Sequence, residues 1–261
     1  MTRAGGRVMT GSDSRILEYI YDSTFEGLLT CIFEAYYRRE EPDRILCGET
    51  VQRDMLSRTV HIETDLSKAD RVLESIRARI SGDALDNAFH AYLSEYDDIG
   101  VWIYRYLKLG WKVGPLVDSY LHEVPVQKVH ETAGRVRYEA HRMLGLLRFR
   151  QLEGGAYYAP MGPDHNVLSL IAPHFADRLS DQSWMIHDVK RDIAAVYNKQ
   201  DWVIAVVRQK KALPLHGDEL EFQRLWKQYF QSIAIAGRKN PRLQRQHMPS
   251  RYWKYLVEKQ A

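Results

Sequence analysis

Apolar positions along this chain change their spacing several times, and each change marks an element. Ile16 to Tyr21 read as a strand, and Ser23 then stands where a helix cap is expected, with Glu26 three positions on completing a capping box. Phe25, Leu28, Leu29, Ile32, Phe33 and Tyr36 recur at helical spacing until Pro42 closes the segment, which leaves Glu34 on a polar side expected to be solvated. From Ser67 to Leu147 the period is helical almost throughout. Ala69, Val72, Leu73, Ile76 and Ile80 form one stripe before Gly82, and Leu85, Ala88, Phe89, Tyr92 and Leu93 form a second. Ile99, Trp102, Ile103, Tyr106 and Leu107 form a third, ended by Gly110, and a fourth runs from Val129 through Ala133, Val136, Ala140 and Met143 to Leu147. These stripes predict a small helical bundle, a scaffold with no chemistry of its own.

The texture changes at Leu146. LLRFRQLEGGAYYAPM predicts a hairpin turning at Glu153, Gly154 and Gly155, and Asp164 is placed to cap a helix that runs towards Leu179 and is kinked or divided by Pro173. WMIHD, IAAVYN and WVIAVV then read as an antiparallel meander. Asp218 and Glu221 form a second capping box ahead of a stripe of Phe222, Leu225, Trp226, Tyr229, Phe230 and Ile233, with Gly237 as its stop. Pro249 suits the first turn of a last helix, on which Arg251, Lys254 and Glu258 share one face while Tyr252, Trp253, Leu256 and Val257 share the other. The fold class is α+β: a helical bundle packed with an antiparallel sheet and C-terminal helices. Residues 1–14 are expected to be a disordered extension, and 15–261 a single large domain with a candidate sub-boundary near 146.

Charge adds a direction to this picture. The net charge of +3 is too small to single out a nucleic-acid binder, but from Ala205 onward there are twelve Lys and Arg against four Asp and Glu. The excess concentrates between two predicted helices, where Arg238, Lys239, Arg242 and Arg245 lie in a basic loop with Asn240, Gln244, Gln246 and His247, and Arg251 follows. Arginine forks suit phosphate and amides can bond bases or backbone, so this loop is a candidate surface for nucleic acid or for an acidic partner protein. Burial of Tyr252 and Trp253 would fix it in place.

Chemistry is harder to find. No phosphate-binding glycine loop, dinucleotide fingerprint, nucleophile elbow or HExxH motif occurs, and the two cysteines, Cys31 and Cys47, cannot supply an iron–sulfur cluster or the usual zinc-deaminase ligand set. Weak catalytic candidates are His141, Arg148, His174, His187, Asp188 and Arg191, which would need to converge on one pocket. Their spacing matches no local metal-ligand pattern, so no metal is expected. Cysteine usage and the lack of a long apolar run predict a cytoplasmic chain with no membrane span.

YDSTFEGLLTCIFEAYYRRE, the long stretch from Glu139 to Leu179, WMIHDVKRD and LWKQYFQSIAIAGRKNPRLQRQHMPSRYWKYL together resemble a bacterial family of DNA metabolism proteins that share a domain of unknown function numbered 4130. The resemblance extends in order from about Ile16 to Glu258. It implies an accessory protein of DNA metabolism or repair that works beside a radical-SAM DNA modification or repair protein. The 4Fe-4S cluster and S-adenosylmethionine would then reside in that partner and no cofactor in this chain. The alternatives are a DNA-processing enzyme built on the His, Asp and Arg candidates, and a module whose basic loop docks only protein.

Overall fold

The computed structural model describes residues 16–48, 57–208, 213–238 and 240–260. The expected extension 1–14 and Lys239 lie outside the described residues. The chain divides into two compact units, one drawn from Met1–Tyr92 and Tyr96–His130, the other from Leu93–Glu95 and Glu131–Ala261.

In the first unit β1, Ile16–Tyr21, is the centre of a parallel sheet of order β2-β1-β3, with β2 at Arg44–Cys47 and β3 at Ser57–His61. Parallel neighbours require a crossover, and α1, Phe25–Arg38, provides one between β1 and β2. Its cap is Thr24 rather than Ser23. The Thr24 hydroxyl accepts from the Gly27 N–H at 2.9 Å, whereas Ser23 sits at φ 67° and turns the chain. Asp22 ties this turn together, accepting from the Thr24 hydroxyl at 2.6 Å and the Thr64 hydroxyl at 2.8 Å. Glycine at 27 leaves room for this turn, since a Cβ there would stand 2.4 Å from the Asp22 carboxylate and displace it.

Four helices follow: α2 (Leu66–Arg79), α3 (Gly82–Tyr92), α4 (Ile99–Val113) and α5 (Val124–Leu146). Most positions of the predicted stripes are buried, among them Val72, Ile76, Ala88, Ile103, Tyr106 and Leu107, while Leu73, Phe89, Tyr92 and Trp102 are half-buried. Gly110 lies inside α4 instead of ending it, and a Cβ there would meet Ile80 Cδ1 at 2.6 Å. Glu34 is not simply solvated: it accepts from Arg38 at 2.7 Å and Lys68 at 2.8 Å, and these bonds, Lys68 foremost, hold its carboxyl below the usual range.

The second unit contains α5 from Glu131 onward and a five-stranded sheet of order β4-β5-β6-β7-β8. Its strands are β4 (Arg150–Gln151), β5 (Tyr157–Met161), β6 (Trp184–Asp188), β7 (Ile193–Tyr197) and β8 (Trp202–Val206). The β4–β5 hairpin turns at Gly154 and Gly155, both at positive φ, and β6, β7 and β8 form the expected meander. The sheet is nevertheless mixed. β5 and β6 run parallel because α6, Leu168–Arg178, carries the chain across between them. α6 packs on β6, β7 and β8 and begins beside Val167, not at Asp164; Pro173 is accommodated within it. Trp184, Ile186, Ala195 and Tyr197 are buried with Leu168, Ile171 and Phe175 of α6.

The chain then forms α7 (Glu219–Ser232), α8 (Pro241–His247) and two 3-10 turns at Ser250–Tyr255 and Val257–Lys259, which replace the expected last helix. Asp218 flanks α7 without a side-chain cap bond, so the second capping box does not form. The architecture is a helix-rich α+β fold with a mixed sheet. Among the described residues no helix is long and apolar enough to cross a membrane.

Candidate nucleic-acid interface

From Pro241 to His247 the basic stretch is a helix and not a loop, and Arg238 ends a 3-10 turn before it. Asn240 caps α8 by accepting from the Leu243 N–H at 3.0 Å, and Pro241 occupies the first helical position, where its missing N–H costs nothing. A helix of seven residues cannot hold itself together in water, so its surroundings decide whether it persists. Anchors stand on its C-terminal side. Tyr252 is 2% exposed and donates its hydroxyl to Glu139 of α5, and the Trp253 indole N–H donates to the Met248 carbonyl at 2.9 Å. Arg142 of α5 reaches the Gln246 carbonyl at 2.6 Å.

Between the end of α7 and α8 opens a groove of about 770 Å³. Arg238, Asn240, Gln244 and His247 line it, against an apolar wall that includes Phe230 and Ile233. Arg242 and Arg245 are exposed on α8, and among the described residues Arg238, Arg242 and Arg245 form no ion pair. Arg251 belongs elsewhere. Its guanidinium bonds Asp164 at 2.9 Å and lies 4.6 Å from the centre of the Tyr252 ring, so it braces the anchor. The structure thus gathers four of the predicted binding residues around one groove and puts two more on the same short helix.

Two acids that the sequence did not mark support this site. Glu139, 4% exposed, accepts from the Asp164 and His165 backbone N–H groups, each at 2.8 Å, as well as from Tyr252. Burial, then the bond to Glu139 and its charge, push the Tyr252 phenol well above its ordinary range. Glu258, expected on a solvent face, has a fully buried carboxylate gripped by Arg148 at 2.6 Å and by the Trp226 indole at 3.0 Å. Burial alone would raise its pKa, but Arg148, a backbone N–H and Trp226 together hold it below normal. Glu139 left a signal, since it falls between Val136 and Ala140 in the apolar stripe of α5; Glu258 left none.

The six catalytic candidates do not converge on one pocket, although Asp188 and Arg191 bond each other. Arg148 pairs with Glu258 and stacks 5.4 Å from the Trp226 ring centre. Asp188 is fully buried and accepts from the Lys190 and Arg191 N–H groups and from the Arg191 guanidinium at 2.8 Å. Arg191 also bonds Glu95 at 2.7 Å and the Pro163 and Asp164 carbonyls, which makes it the clamp of a corner. His187 precedes Asp188 on β6 and therefore points to the opposite face, where Nδ1 lies 2.8 Å from the Tyr158 hydroxyl. His141 on α5 and His174 on α6 are exposed. Among the described residues no three His, Cys, Asp or Glu side chains are grouped as metal ligands would be.

Comparison with known proteins places this architecture in a family. No curated protein and no solved structure matches the chain. A family model described as a domain of unknown function, DUF4130, matches residues 97–258, which is more than half of the chain and includes Glu139, the mixed sheet and the α7–α8 groove. The chain belongs to the DUF4130 family.

Proposed function

We propose that this protein is an accessory factor of DNA metabolism that holds nucleic acid along α8 and the groove beside it. The observation that carries this reading is the set of arginines without ion pairs, Arg238 before α8 and Arg242 and Arg245 on it, with Asn240 as its cap and Gln244 and His247 on the same anchored helix. Guanidiniums without acidic partners are free to displace counterions from phosphates, which is the main source of sequence-independent affinity. Replacing all three arginines by alanine should weaken binding of a labelled oligonucleotide about ten-fold or more at moderate salt. It should also flatten the plot of log affinity against log salt by roughly two to three in slope. An unaltered slope would remove α8 from the interface. The radical-SAM DNA repair or modification protein suggested by the sequence resemblance is the proposed companion, and the cluster and S-adenosylmethionine would be its own.

A second reading is favoured by α7. Phe222, Leu225, Tyr229 and, at its C-terminal cap, Ile233 are all exposed there, between 49% and 59%. A continuous apolar row of this kind is a surface for protein more than for phosphate. Purified companion protein, mixed with this chain after nuclease treatment, separates the two. Retention that is lost on Leu225→Glu but kept in the triple-arginine variant assigns α7 to protein, and the reverse pattern assigns the association to shared nucleic acid.

A further inference from the structure

A second aromatic and cationic site lies in the first unit, far along the chain from α8 and using none of its residues. α1 and α2 run side by side in the same direction, as the bonds Glu34 to Lys68 and Tyr37 to Arg71 show. Near their C-terminal ends, beside Trp111 of α4, they enclose a pocket of about 490 Å³. That falls within the range of roughly 300–1,000 Å³ usual for small-molecule sites. Phe33, Tyr36, Tyr37, Arg71, Arg79 and Trp111 supply its chemistry.

The aromatic residues are not placed as a core would place them. Tyr36 is 64% exposed and Tyr37 60% exposed, although burial of each would remove a large apolar surface from water. Phe33 and Tyr37 stack on each other at 4.2 Å, and Arg71 covers that pair, 5.1 Å from the Phe33 centre, while donating to the Tyr37 hydroxyl at 2.8 Å. Tyr36 and Trp111 remain as an open pair, 6.3 Å apart and tilted by 56°. The Trp111 indole is held by a bond to Ser75 at 3.0 Å, and Tyr36 meets Tyr37 edge-on at 6.3 Å on its other side.

The charges select the guest. A cation would find Arg71 over one aromatic pair and Arg79 on the rim, against Glu74 as the single lining acid. Arg38, at the end of α1, is paired with Glu34, whereas Arg79 occupies the last position of α2 and offsets the partial negative charge of that helix end. The rim is therefore cationic and the open pair uncharged. That combination fits a planar aromatic ring attached to an anion. We infer that this pocket binds a nucleotide, with the base stacked against Tyr36 and Trp111 and the phosphate met by Arg79 and Arg71. The same chemistry is offered by a free nucleotide and by an unpaired base within a strand.

The test uses the full chain, and the chain carrying the three arginine substitutions of α8, titrated with thymidine monophosphate and separately with labelled oligothymidine. Tyr36→Ala should weaken binding about ten-fold in both backgrounds, and Tyr36→Phe should restore it, because stacking needs the ring and not the hydroxyl. Arg79→Ala should lower the salt slope for oligothymidine by about one. Affinity for both ligands marks a nucleotide site; affinity for oligothymidine alone marks a site for a base within a strand. Equal binding by wild type and Tyr36→Ala, or equal losses in Tyr36→Ala and Tyr36→Phe, overturns the assignment. Because the α8 variant is carried in parallel, failure of this pocket and failure of α8 give different patterns.

Discussion

At the scale of single residues, the groove depends on a carboxylate that never reaches it. Glu139 satisfies two backbone N–H groups after β5 and the hydroxyl of Tyr252, so one side chain of α5 joins two distant stretches of the second unit. Glu139→Gln keeps one acceptor oxygen but turns an NH2 group towards a donor, leaving a buried N–H unsatisfied. The expected loss is about 2–4 kcal/mol. Tyr252→Phe removes the donor to Glu139 and an acceptor of the half-exposed Arg251 guanidinium, and should cost about 1–2 kcal/mol. Urea unfolding of the two variants checks the ordering; a Tyr252→Phe cost above that of Glu139→Gln would mean that the backbone bonds are not what Glu139 secures. The sequence carried half of this. Spacing gave Tyr252 and Trp253 as anchors and the apolar stripe of α5 beside Glu139, but which acid meets which phenol, 113 residues apart, is a matter of tertiary packing that no local pattern records.

Elements were legible in proportion to their length and amphipathicity. α2 to α5 have long stripes and appear where those stripes are. α8 has none, because its one large apolar residue, Leu243, is 49% exposed, and the stretch therefore reads as a loop. β2 and β3, of four and five residues, have burial patterns too short to show a period, and their parallel pairing with β1 is made by sequence-distant partners. The direction of β5 against β6 likewise follows from the α6 crossover rather than from either strand. Contact between α4 and β2 gives a prediction at this scale. Gly100 lies under Ile45, where a Cβ would stand 2.6 Å from the Ile45 carbonyl oxygen. Alanine in a helix gains about 1 kcal/mol over glycine, but forcing backbone apart costs about 1–3 kcal/mol. Gly100→Ala should therefore lower the melting temperature. Gly134→Ala on α5, where a Cβ would meet nothing within 4 Å, should raise it. Equal responses would show that α4 and β2 are not closely packed.

For the molecule as a whole, stability should depend steeply on alkaline pH. Tyr19 and Tyr21 in the first unit and Tyr252 in the second are all buried. Burial is the main cause that lifts each phenol above its ordinary range, aided by Glu40 at Tyr19, by Cys47 at Tyr21 and by Glu139 at Tyr252. Burial likewise lifts the Cys31 thiol. A group whose pKa is raised by folding stabilises the folded chain fully below its unfolded pKa, and loses that effect as pH climbs towards the folded value. Unfolded tyrosine titrates near about 10 and cysteine near about 8.5. Stability should thus be level to about pH 8.5 and then fall, by about 1.4 kcal/mol per group for each pH unit above its unfolded pKa. Three of these four groups belong to the first unit, so that unit should open first. In a Cys47→Ser chain, alkylation of Cys31 reports that opening directly, since Cys31 is fully buried and Cys47 is the exposed thiol. Its rate should rise between pH 9 and 11 by more than thiol ionisation explains, and at lower pH than the loss of oligonucleotide binding by α8. If binding fails at the lower pH instead, Tyr252 and Glu139, not the first unit, set the alkaline limit.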